Sequence, residues 1–391
     1  MRLTRFKYLK RQRVLTLTLI VILSSMLFSL AALSLLGFYR GFTAYLGEGE
    51  DVIVVYNPKC KTPITSSVPA YLAEKLAVLG GVLASSPEAM APCLVNGEAV
   101  FLRGIIPESF VKVNPITIVE GSPLDLTDTG SVIVGVKAAE KLGLQLNQKL
   151  LFQGVLADEY AELEVKGIFK SDSIMDDEVL APLHVGQWLR GMDYDSVTII
   201  RLKIDRTAVT ASEIFEAVKA EAEQPSSQPS QGQESTQEPI MPWAMRYFSL
   251  EEVGVEEASK LMKSYMERYG VTEEALLALS ATVFLFSSLT IILASKTVVT
   301  QHKGEINILR SIGASRRLLK IDIMIKLLPS VLAASTMGML TASAILTVIQ
   351  GFGHLQVLSH TVPFNLEPAL IALNLILPAA LVSISVLREK L

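Results

Sequence analysis

The sequence predicts a membrane α protein with an extracytoplasmic α/β domain: four transmembrane helices, with a large mixed α+β domain inserted between the first two. Three observations support this fold class. Half of the 391 residues are hydrophobic, and the mean hydropathy of +0.42 is high for a soluble protein. Four stretches are apolar and long enough to cross a bilayer. A long acidic segment separates the first stretch from the second.

Uncharged runs define the four predicted spans. A helix needs ~20 apolar residues to cross ~30 Å of hydrocarbon. The first run could instead be a cleaved signal peptide. However, it is longer than the ~7–15 apolar residues of such peptides, and no clear A-x-A cleavage site follows it. We therefore interpret it as an anchor. The predicted transmembrane helices cover residues 14–39, 275–295, 327–350 and 368–387.

The distribution of Lys and Arg orients these spans. Six basic residues and no acidic residue precede residue 14, seven basic residues lie in 296–326, and 351–367 contains none. The intervening segment 41–273 holds 34 Asp and Glu against 19 Lys and Arg, so the net charge of −4 hides a strong asymmetry. The positive-inside rule places basic loops in the cytoplasm. It predicts cytoplasmic segments at 1–13, 296–326 and 388–391, and extracytoplasmic segments at 40–274 and 351–367.

The extracytoplasmic domain, predicted at 40–248, is long enough for one large domain or two small ones. Apolar runs and alternation predict strands, and helical periodicity predicts helices. Thr210 and Glu213 form a capping-box pattern at the start of one helix. The predicted strands are 51–56, 131–136, 161–169 and 196–204, and the predicted helices are 70–81, 137–144 and 210–222.

Two segments and two cysteines complete the predicted extracytoplasmic part. Residues 223–242 are rich in Ser, Gln and Pro, which predicts a flexible linker. Helical periodicity follows it, and we predict a stalk helix over 249–274; an ordinary surface helix would have the same pattern. Cys60 and Cys93 either form a disulfide, worth ~3–4 kcal/mol on the chain-entropy estimate, or are two buried free thiols.

Several kinds of chemistry have no motif in this sequence. There is no G-x-x-x-x-G-K-[ST], H-E-x-x-H, C-x-x-C or G-x-S-x-G, so we expect no enzyme, cofactor or metal site in this chain. The predicted spans contain no ionisable residue, which argues against an ion-coupled carrier. Ala334, Gly338 and Ala342 form a small-residue stripe suited to close helix packing. His354 and His360 lie in one loop. They either form a surface metal site or are simply exposed to solvent.

The loop between the second and third spans contains a short amphipathic pattern. Ile308, Leu309 and Ile312 fall at helical spacing and could form the apolar face of a helix over about 301–312. Gly313 can end that helix, and Ser315 can cap the next one. Such a helix is either a docking element for a partner that supplies energy or an amphipathic helix at the membrane interface.

This loop resembles the cytoplasmic signature of the FtsX/MacB-type ABC transporter permeases, the type VII mechanotransmission class, through Glu305-Ile306, Ile308-Leu309-Arg310 and Ile312-Gly313-Ala314-Ser315. In that family the signature forms the coupling helix that the ATPase contacts. Four further runs are similar to the outer domain of MacB-like members, which implies a MacB periplasmic-core-like fold for 40–248. These runs are 100–110, 131–144, 163–169 and 179–189.

The resemblance also implies roles for residues in the loop. Glu305 and Arg310 would make charged contacts with the ATPase, and Gly313 would form the turn. Gly304 and Asn307 depart from the family pattern, which commonly has a basic residue immediately before the Glu and a glycine two residues after it. The residues implied in ATPase coupling are Glu305, Ile306, Ile308, Leu309, Arg310, Ile312, Gly313, Ala314, Ser315 and Arg316.

The resemblance implies partners as well. The chain would pair with a second permease protomer, identical or different, and with two copies of a separate ABC ATPase that binds ATP and Mg²⁺. It would contact membrane lipid and no nucleic acid. ATP-driven motion of the outer domain would export or extract a hydrophobic or amphiphilic substrate such as a peptide, lipid or lipoprotein. The alternative is an FtsX-like signalling permease that activates an external partner such as a cell-wall hydrolase.

Overall fold

The computed structural model describes residues 9–389 except 48, 224–252, 352–355, 358, 365 and 367. The chain forms two compact units. The helical unit comprises residues 1–40, 270–356 and 362–391, and the α/β unit comprises residues 41–269 and 357–361. The helices are α1 (Arg11–Thr43), α2 (Tyr71–Ala77), α3 (Pro107–Val113), α4 (Val136–Leu142), α5 (Leu183–Arg190), α6 (Ala211–Glu223), α7 (Ala258–Arg268), α8 (Glu273–Gln301), α9 (Lys303–Ser311), α10 (Arg316–Gly351) and α11 (Pro368–Arg388).

The strands belong mainly to one ten-stranded sheet of the α/β unit. They are β1 (Val52–Tyr56), β2 (Val68–Pro69), β3 (Val82–Val95), β4 (Glu98–Ile105), β5 (Thr117–Gly121), β6 (Ser131–Gly135), β7 (Lys149–Gly154), β8 (Tyr160–Lys170), β9 (Glu178–Pro182), β10 (Ser196–Val197), β11 (Ile199–Ile204), β12 (Gly254–Glu257), β13 (Gln356–Val357) and β14 (His360–Thr361).

Six strands of this sheet close on themselves. They pair in the order β3, β4, β9, β6, β8, β7 and back to β3, while β11, β1 and β12 extend from the other half of the long strand β3. Alternation along the closed strands directs one set of side chains inward, and this set includes Leu102, Val134 and Phe152, each with 0% exposure. The Asn96-Gly97 turn joins β3 to β4, with both residues at positive φ (53° and 83°), as a two-residue hairpin turn requires.

The predicted strands are confirmed, with one difference. Three of them correspond to β1, β6 and β8, and 196–204 divides into β10 and β11 at Thr198. The hydroxyl of Thr198 accepts a hydrogen bond from the Met90 backbone N–H at 2.9 Å. At this break between β10 and β11, a side chain and not a backbone carbonyl therefore satisfies the N–H group of strand β3. The predicted helices correspond to α2, α4 and α6, and α2 is shorter than predicted. Thr210 and Glu213 form the predicted capping box, because each backbone N–H donates to the other residue's side chain.

The predicted stalk helix over 249–274 is wrong over its described residues, 253–274. Residues 254–257 form strand β12, which adds to β1 in antiparallel register. The helix that follows, α7, buries Leu261 and Met262, so it is an amphipathic surface helix of the α/β unit. Gly270, at φ 72°, then separates it from α8. Pairing with an exposed strand edge outweighs helical periodicity in this short acidic run. The predicted linker 223–242 lies outside the described residues apart from Glu223.

Both cysteines are free in the structure, so the disulfide alternative is not formed. Cys93 is 1% exposed and faces the interior of the closed strands, whereas Cys60 is half-buried beside a different hydrophobic cluster. Burial raises the pKa of the Cys93 thiol to about 12, so this thiol stays protonated and unreactive at neutral pH while the α/β unit is folded.

Four helices among the described residues are long and apolar enough to cross a membrane: α1, α8, α10 and α11. Each contains one predicted span. The predicted small-residue stripe on α10 is buried, as Ala334, Gly338 and Ala342 all pack inside the helical unit. A Cβ atom added to Gly338 would lie 2.5 Å from the Ile22 carbonyl oxygen of α1. The two backbones therefore approach closely at this glycine.

Hydrogen bonds accompany this close packing. The Ser25 hydroxyl of α1 lies 2.9 Å from both the Ser335 carbonyl oxygen of α10 and Asn374 Oδ1 of α11. A hydroxyl has a single proton, so it donates to one of these acceptors at a time. Ser24 and Thr290 place a second hydroxyl pair between α1 and α8, with 3.1 Å between the oxygens. Three helices thus contact α1 through small polar side chains.

We predict that Gly338→Val destabilises the helical unit by about 1–3 kcal/mol, because the added side chain cannot fit against α1 without moving it. Thermal unfolding of the detergent-solubilised protein would show this as a lower midpoint. Gly351→Val is the matched control, since a Cβ atom there meets no atom of the described residues within 4 Å. Equal midpoints for the two variants would contradict the packing described here.

Candidate functional site: the loop helix α9

The helix α9 ends in the way its sequence predicts. Gly313 has φ 102°, its N–H donates to the Arg310 carbonyl at 2.9 Å, and the Ala314 N–H donates to the Leu309 carbonyl at 3.1 Å. This pair of bonds is the Schellman motif, which satisfies the last carbonyls of a helix. The Ser315 hydroxyl then accepts from the Leu318 N–H and caps α10, which begins at Arg316. The turn fixes the direction in which α10 leaves α9.

The apolar residues of α9 occupy two faces, which corrects the single face predicted from Ile308, Leu309 and Ile312. Ile306 is 1% exposed and belongs to the hydrophobic cluster of the helical unit, and Leu309 packs against that cluster three residues later. Ile308 and Ile312, four residues apart, are 61% and 65% exposed. One face therefore anchors the helix and the other presents two isoleucines to the surroundings.

Charged residues lie at both ends of this exposed surface. Glu305 is in the first turn and Arg310 in the last turn of α9, a distribution that suits the helix dipole. A hydrogen bond from its own backbone N–H lowers the pKa of the Glu305 carboxyl, and the positive charges of Arg13 and Lys10 add to this effect. Gly304 and Asn307, the two departures from the family pattern, are exposed.

The α/β unit contains a chain of buried charges that the sequence did not predict. Arg103 donates through Nε and Nη2 to the two oxygens of Glu178, at 2.6 and 2.7 Å, and through Nη1 to Glu88 at 2.6 Å. Glu88 also accepts from Arg201 Nε at 2.7 Å. His360 Nε2 lies 2.9 Å from Glu178 Oε1. We call Arg201, Glu88, Arg103, Glu178 and His360 the buried ion chain; its first four members have 0% exposure.

Charge pairing dominates the electrostatics of this ion chain. Burial by itself would raise the pKa of the Glu178 carboxyl, but the charge and hydrogen bonds of Arg103, together with His360, lower it to about 2. The Arg103 guanidinium also lies over the Tyr45 ring, 5.8 Å from its centroid. The two carboxylates and two guanidinium groups balance, which is the condition under which buried charges are tolerated.

His360 has a different place from either one predicted for it, and His354 lies outside the described residues. It is 4% exposed, its ring packs against Tyr45 and Phe101, and its Nε2 donates to the Glu178 carboxylate. The next residue, Thr361, donates to Asp177 from both its backbone N–H and its hydroxyl, at 3.1 and 2.7 Å. A charged residue in the middle of a strand-like apolar run, such as Arg201 in 196–204, is the signal that could have revealed the ion chain.

Comparisons with known proteins agree with this architecture. The family described as the MacB-like periplasmic core domain matches residues 14–224, and the FtsX-like permease C-terminal family matches residues 277–387. A search of the curated proteins gives no match. The core-domain match covers more than half of the chain. The chain therefore belongs to the FtsX/MacB-like family of ABC transporter permeases.

Three solved structures are similar to part of the chain. The periplasmic region of MacB from Actinobacillus actinomycetemcomitans has 11% identity and a TM-score of 0.38, and the match covers 55% of this chain and 92% of that one. The extracellular domain of the ABC-type transporter YknZ from Gram-positive bacteria has 18% identity and a TM-score of 0.32, with coverage of 42% and 88%. A permease domain from Porphyromonas gingivalis has 13% identity and a TM-score of 0.30, with coverage of 44% and 82%.

Members of this family share several general properties. Members are membrane subunits that are generally not enzymes themselves, and they generally associate with an ABC ATPase and dimerise. The four apolar helices and the periplasmic-type core domain fit a multi-pass membrane protein with an extracytoplasmic segment.

We predict that Glu178→Gln destabilises the α/β unit by about 3–5 kcal/mol, because it leaves the buried Arg103 charge without full compensation. In a Cys60→Ser background, pulse labelling of the buried Cys93 thiol reports unfolding of this unit alone, and labelling should accelerate strongly. Glu162→Gln removes the same charge at an exposed position of β8 and serves as the control. Similar labelling rates for both variants would show that the ion chain is not stabilising.

Acid should weaken the same interaction. Because the pKa of Glu178 is lowered from about 4.5 to about 2 in the folded protein, its stabilisation is complete above the ordinary pKa and is lost as the pH falls through about 2. This lowering of the pKa corresponds to ~3 kcal/mol of stability at neutral pH. Circular dichroism of denaturant unfolding should show the difference between wild type and Glu178→Gln shrinking as the pH is lowered across this range. A constant difference would contradict the assignment.

Proposed function

We propose that this chain is the permease subunit of an ABC transporter. It couples ATP hydrolysis by a separate ATPase to motion of its α/β unit, for export or extraction of a hydrophobic or amphiphilic substrate such as a peptide, lipid or lipoprotein. The observation that carries this proposal is α9: a short helix anchored by Ile306 and Leu309, with Ile308 and Ile312 exposed between two long apolar helices. Two exposed isoleucines four residues apart suit the apolar groove of a partner protein.

The proposed topology follows from charge and length. The helices α1, α8, α10 and α11 span the membrane, with both termini and α9 in the cytoplasm, since the short segments 1–13, 296–326 and 388–391 are rich in Lys and Arg while 351–367 has none. The α/β unit then lies outside, between the first two spans. Two copies of the ATPase, with their ATP and Mg²⁺, would act on two permease protomers.

The coupling residues are proposed on the geometry of α9. Ile308 and Ile312 supply the apolar contact, and Glu305 and Arg310 supply charges at its ends. Gly313 and Ser315 set the turn into α10, so that force on α9 reaches this helix without a flexible joint. The spans need no polar pathway for this mechanism, because the substrate is handled outside the membrane.

The second candidate is a signalling permease that activates an external hydrolase. The match of residues 277–387 to the FtsX-like C-terminal family supports either function. The match of 14–224 to the MacB-like core domain favours transport. Co-purification of a cell-wall hydrolase, with no substrate bound to the α/β unit, would favour signalling.

We expect an ATPase to co-purify with the intact chain from native membranes in mild detergent, and ATP hydrolysis to be measurable in the eluate. Glu305→Lys with Arg310→Glu should reduce this association, as should Ile308→Glu with Ile312→Glu. Loss of one central contact typically costs ~2 kcal/mol or more, or about 30-fold in affinity. Exposed isoleucines can be replaced without disturbing the core of the helical unit.

The matched control is Glu108→Lys with Lys112→Glu, the same charge reversal on two exposed residues of α3 in the α/β unit. It should leave ATPase association unchanged. If no ATPase accompanies the intact chain, the proposed source of energy is missing, and a membrane-anchored receptor becomes the better interpretation. If the α3 reversal disrupts association as strongly as the α9 reversal, the docking surface lies elsewhere.

A further inference from the structure

His302 occupies the junction between α8 and α9. It directly follows the last residue of α8 and directly precedes the first residue of α9, and it is fully buried at 0% exposure. No side chain caps the N-terminus of α9. A helix of nine residues is too short to be stable by itself, since isolated helices below ~12–15 residues are marginal. The orientation of α9 therefore depends on contacts with the rest of the helical unit.

The His302 ring makes two hydrogen bonds of opposite direction. Nε2 lies 2.9 Å from the backbone nitrogen of Lys10, which can only donate, so Nε2 accepts. Nδ1 lies 2.7 Å from the Val298 carbonyl oxygen, which can only accept, so Nδ1 carries the proton. The neutral ring with its proton on Nδ1 satisfies both partners. It joins the last turn of α8 to the residue that precedes α1.

Neighbouring contacts reinforce this junction. Arg13 Nη1 donates to the carbonyl of Gln301, the residue before His302. Leu9 packs against the hydrophobic cluster that contains Ile306, the buried anchor of α9. The Lys10 carbonyl accepts from the N–H groups of Arg13 and Val14, so Lys10 is also the first acceptor of α1. The start of α1 and the start of α9 thus share a polar contact and an apolar one.

We propose that His302 is a positioning residue that links α9 to the start of α1, so that α9, in the coupling role proposed above, acts on α1 directly. Without this link, α9 would reach α1 only through apolar packing around Ile306 and through its chain connections to α8 and α10. α1 is one uninterrupted helix of 33 residues, and the chain enters the α/β unit at its far end. The link therefore provides a rigid route from the coupling helix to the segment that leads into that unit.

The test exploits the fact that Lys10 contributes a backbone group. Lys10→Pro removes the N–H donor, Lys10→Ala retains it, and proline is tolerated at the start of a helix. His302→Ala removes the acceptor, while His302→Gln retains a donor and an acceptor. Because Lys10→Pro leaves His302 in place, the test stands even if His302→Ala fails to fold.

The first measurement is amide hydrogen exchange of residues 303–311 in the purified 391-residue chain without ATPase. Lys10→Pro should accelerate exchange about five- to tenfold, the effect of losing one net hydrogen bond, and His302→Ala at least as much, because it also removes the bond to Val298. The double variant should exchange no faster than His302→Ala, since that change has already removed the bond that Lys10→Pro removes. Lys10→Ala should behave as wild type, and His302→Gln should restore part of the protection. Equal exchange in Lys10→Pro and Lys10→Ala, or multiplying effects in the double variant, would overturn the proposal.

The second measurement adds the co-purifying ATPase and ATP. In Lys10→Ala, ATP should change the exchange of residues 11–16 at the start of α1, and in Lys10→Pro this ATP-dependent change should disappear although the ATPase still binds. A merely stabilising contact would leave the ATP-dependent change intact. The two proposals fail separately: exchange of 303–311 tests the link without a partner, and absence of an ATPase contradicts only the proposed function.

Discussion

The α/β unit depends on the position of one guanidinium group. Arg103 lies fully buried between Glu88 and Glu178. Arg201 pairs with Glu88 at one end of the ion chain, and His360 pairs with Glu178 at the other. These residues come from five strands, so each charge finds its partner in only one register. A slip of one residue would turn a charged side chain toward the apolar interior of the closed strands, at a cost that no nearby group offsets. The ion chain is therefore a constraint on strand pairing as much as a source of stability.

The helical unit is organised by a different principle. Lipid offers little hydrophobic driving force between helices, so packing and short hydrogen bonds decide how they associate. Gly338 lets α10 approach the backbone of α1, and Ser25 sits where α1, α10 and α11 meet. Bulky apolar residues remain on the outer faces of these helices, where a bilayer would surround them.

The loop helix α9 has one buried side and one exposed side, as the proposed coupling role requires. Its buried face, through Ile306, belongs to the core of the helical unit, and its exposed face offers Ile308 and Ile312. The Schellman turn at Gly313 and the buried ring of His302 fix its two ends. A helix held at both ends and exposed on one side can receive force from a partner and pass it on without absorbing it in loop motion.

The sequence by itself determined the four long apolar helices, the strands and helices predicted in the α/β unit apart from the stalk, the caps at Thr210, Gly313 and Ser315, and the family, because these depend on local periodicity, turn chemistry and composition. It did not determine the β12 strand, where the prediction was a stalk helix, or the burial of His360. Only the tertiary structure decided these, since an edge strand needs a distant partner and a buried charge needs a counter-charge from another strand. The division of α9 into a buried and an exposed face was likewise decided by what packs beside it, because helical spacing marks apolar positions but cannot say which of them meet a neighbour.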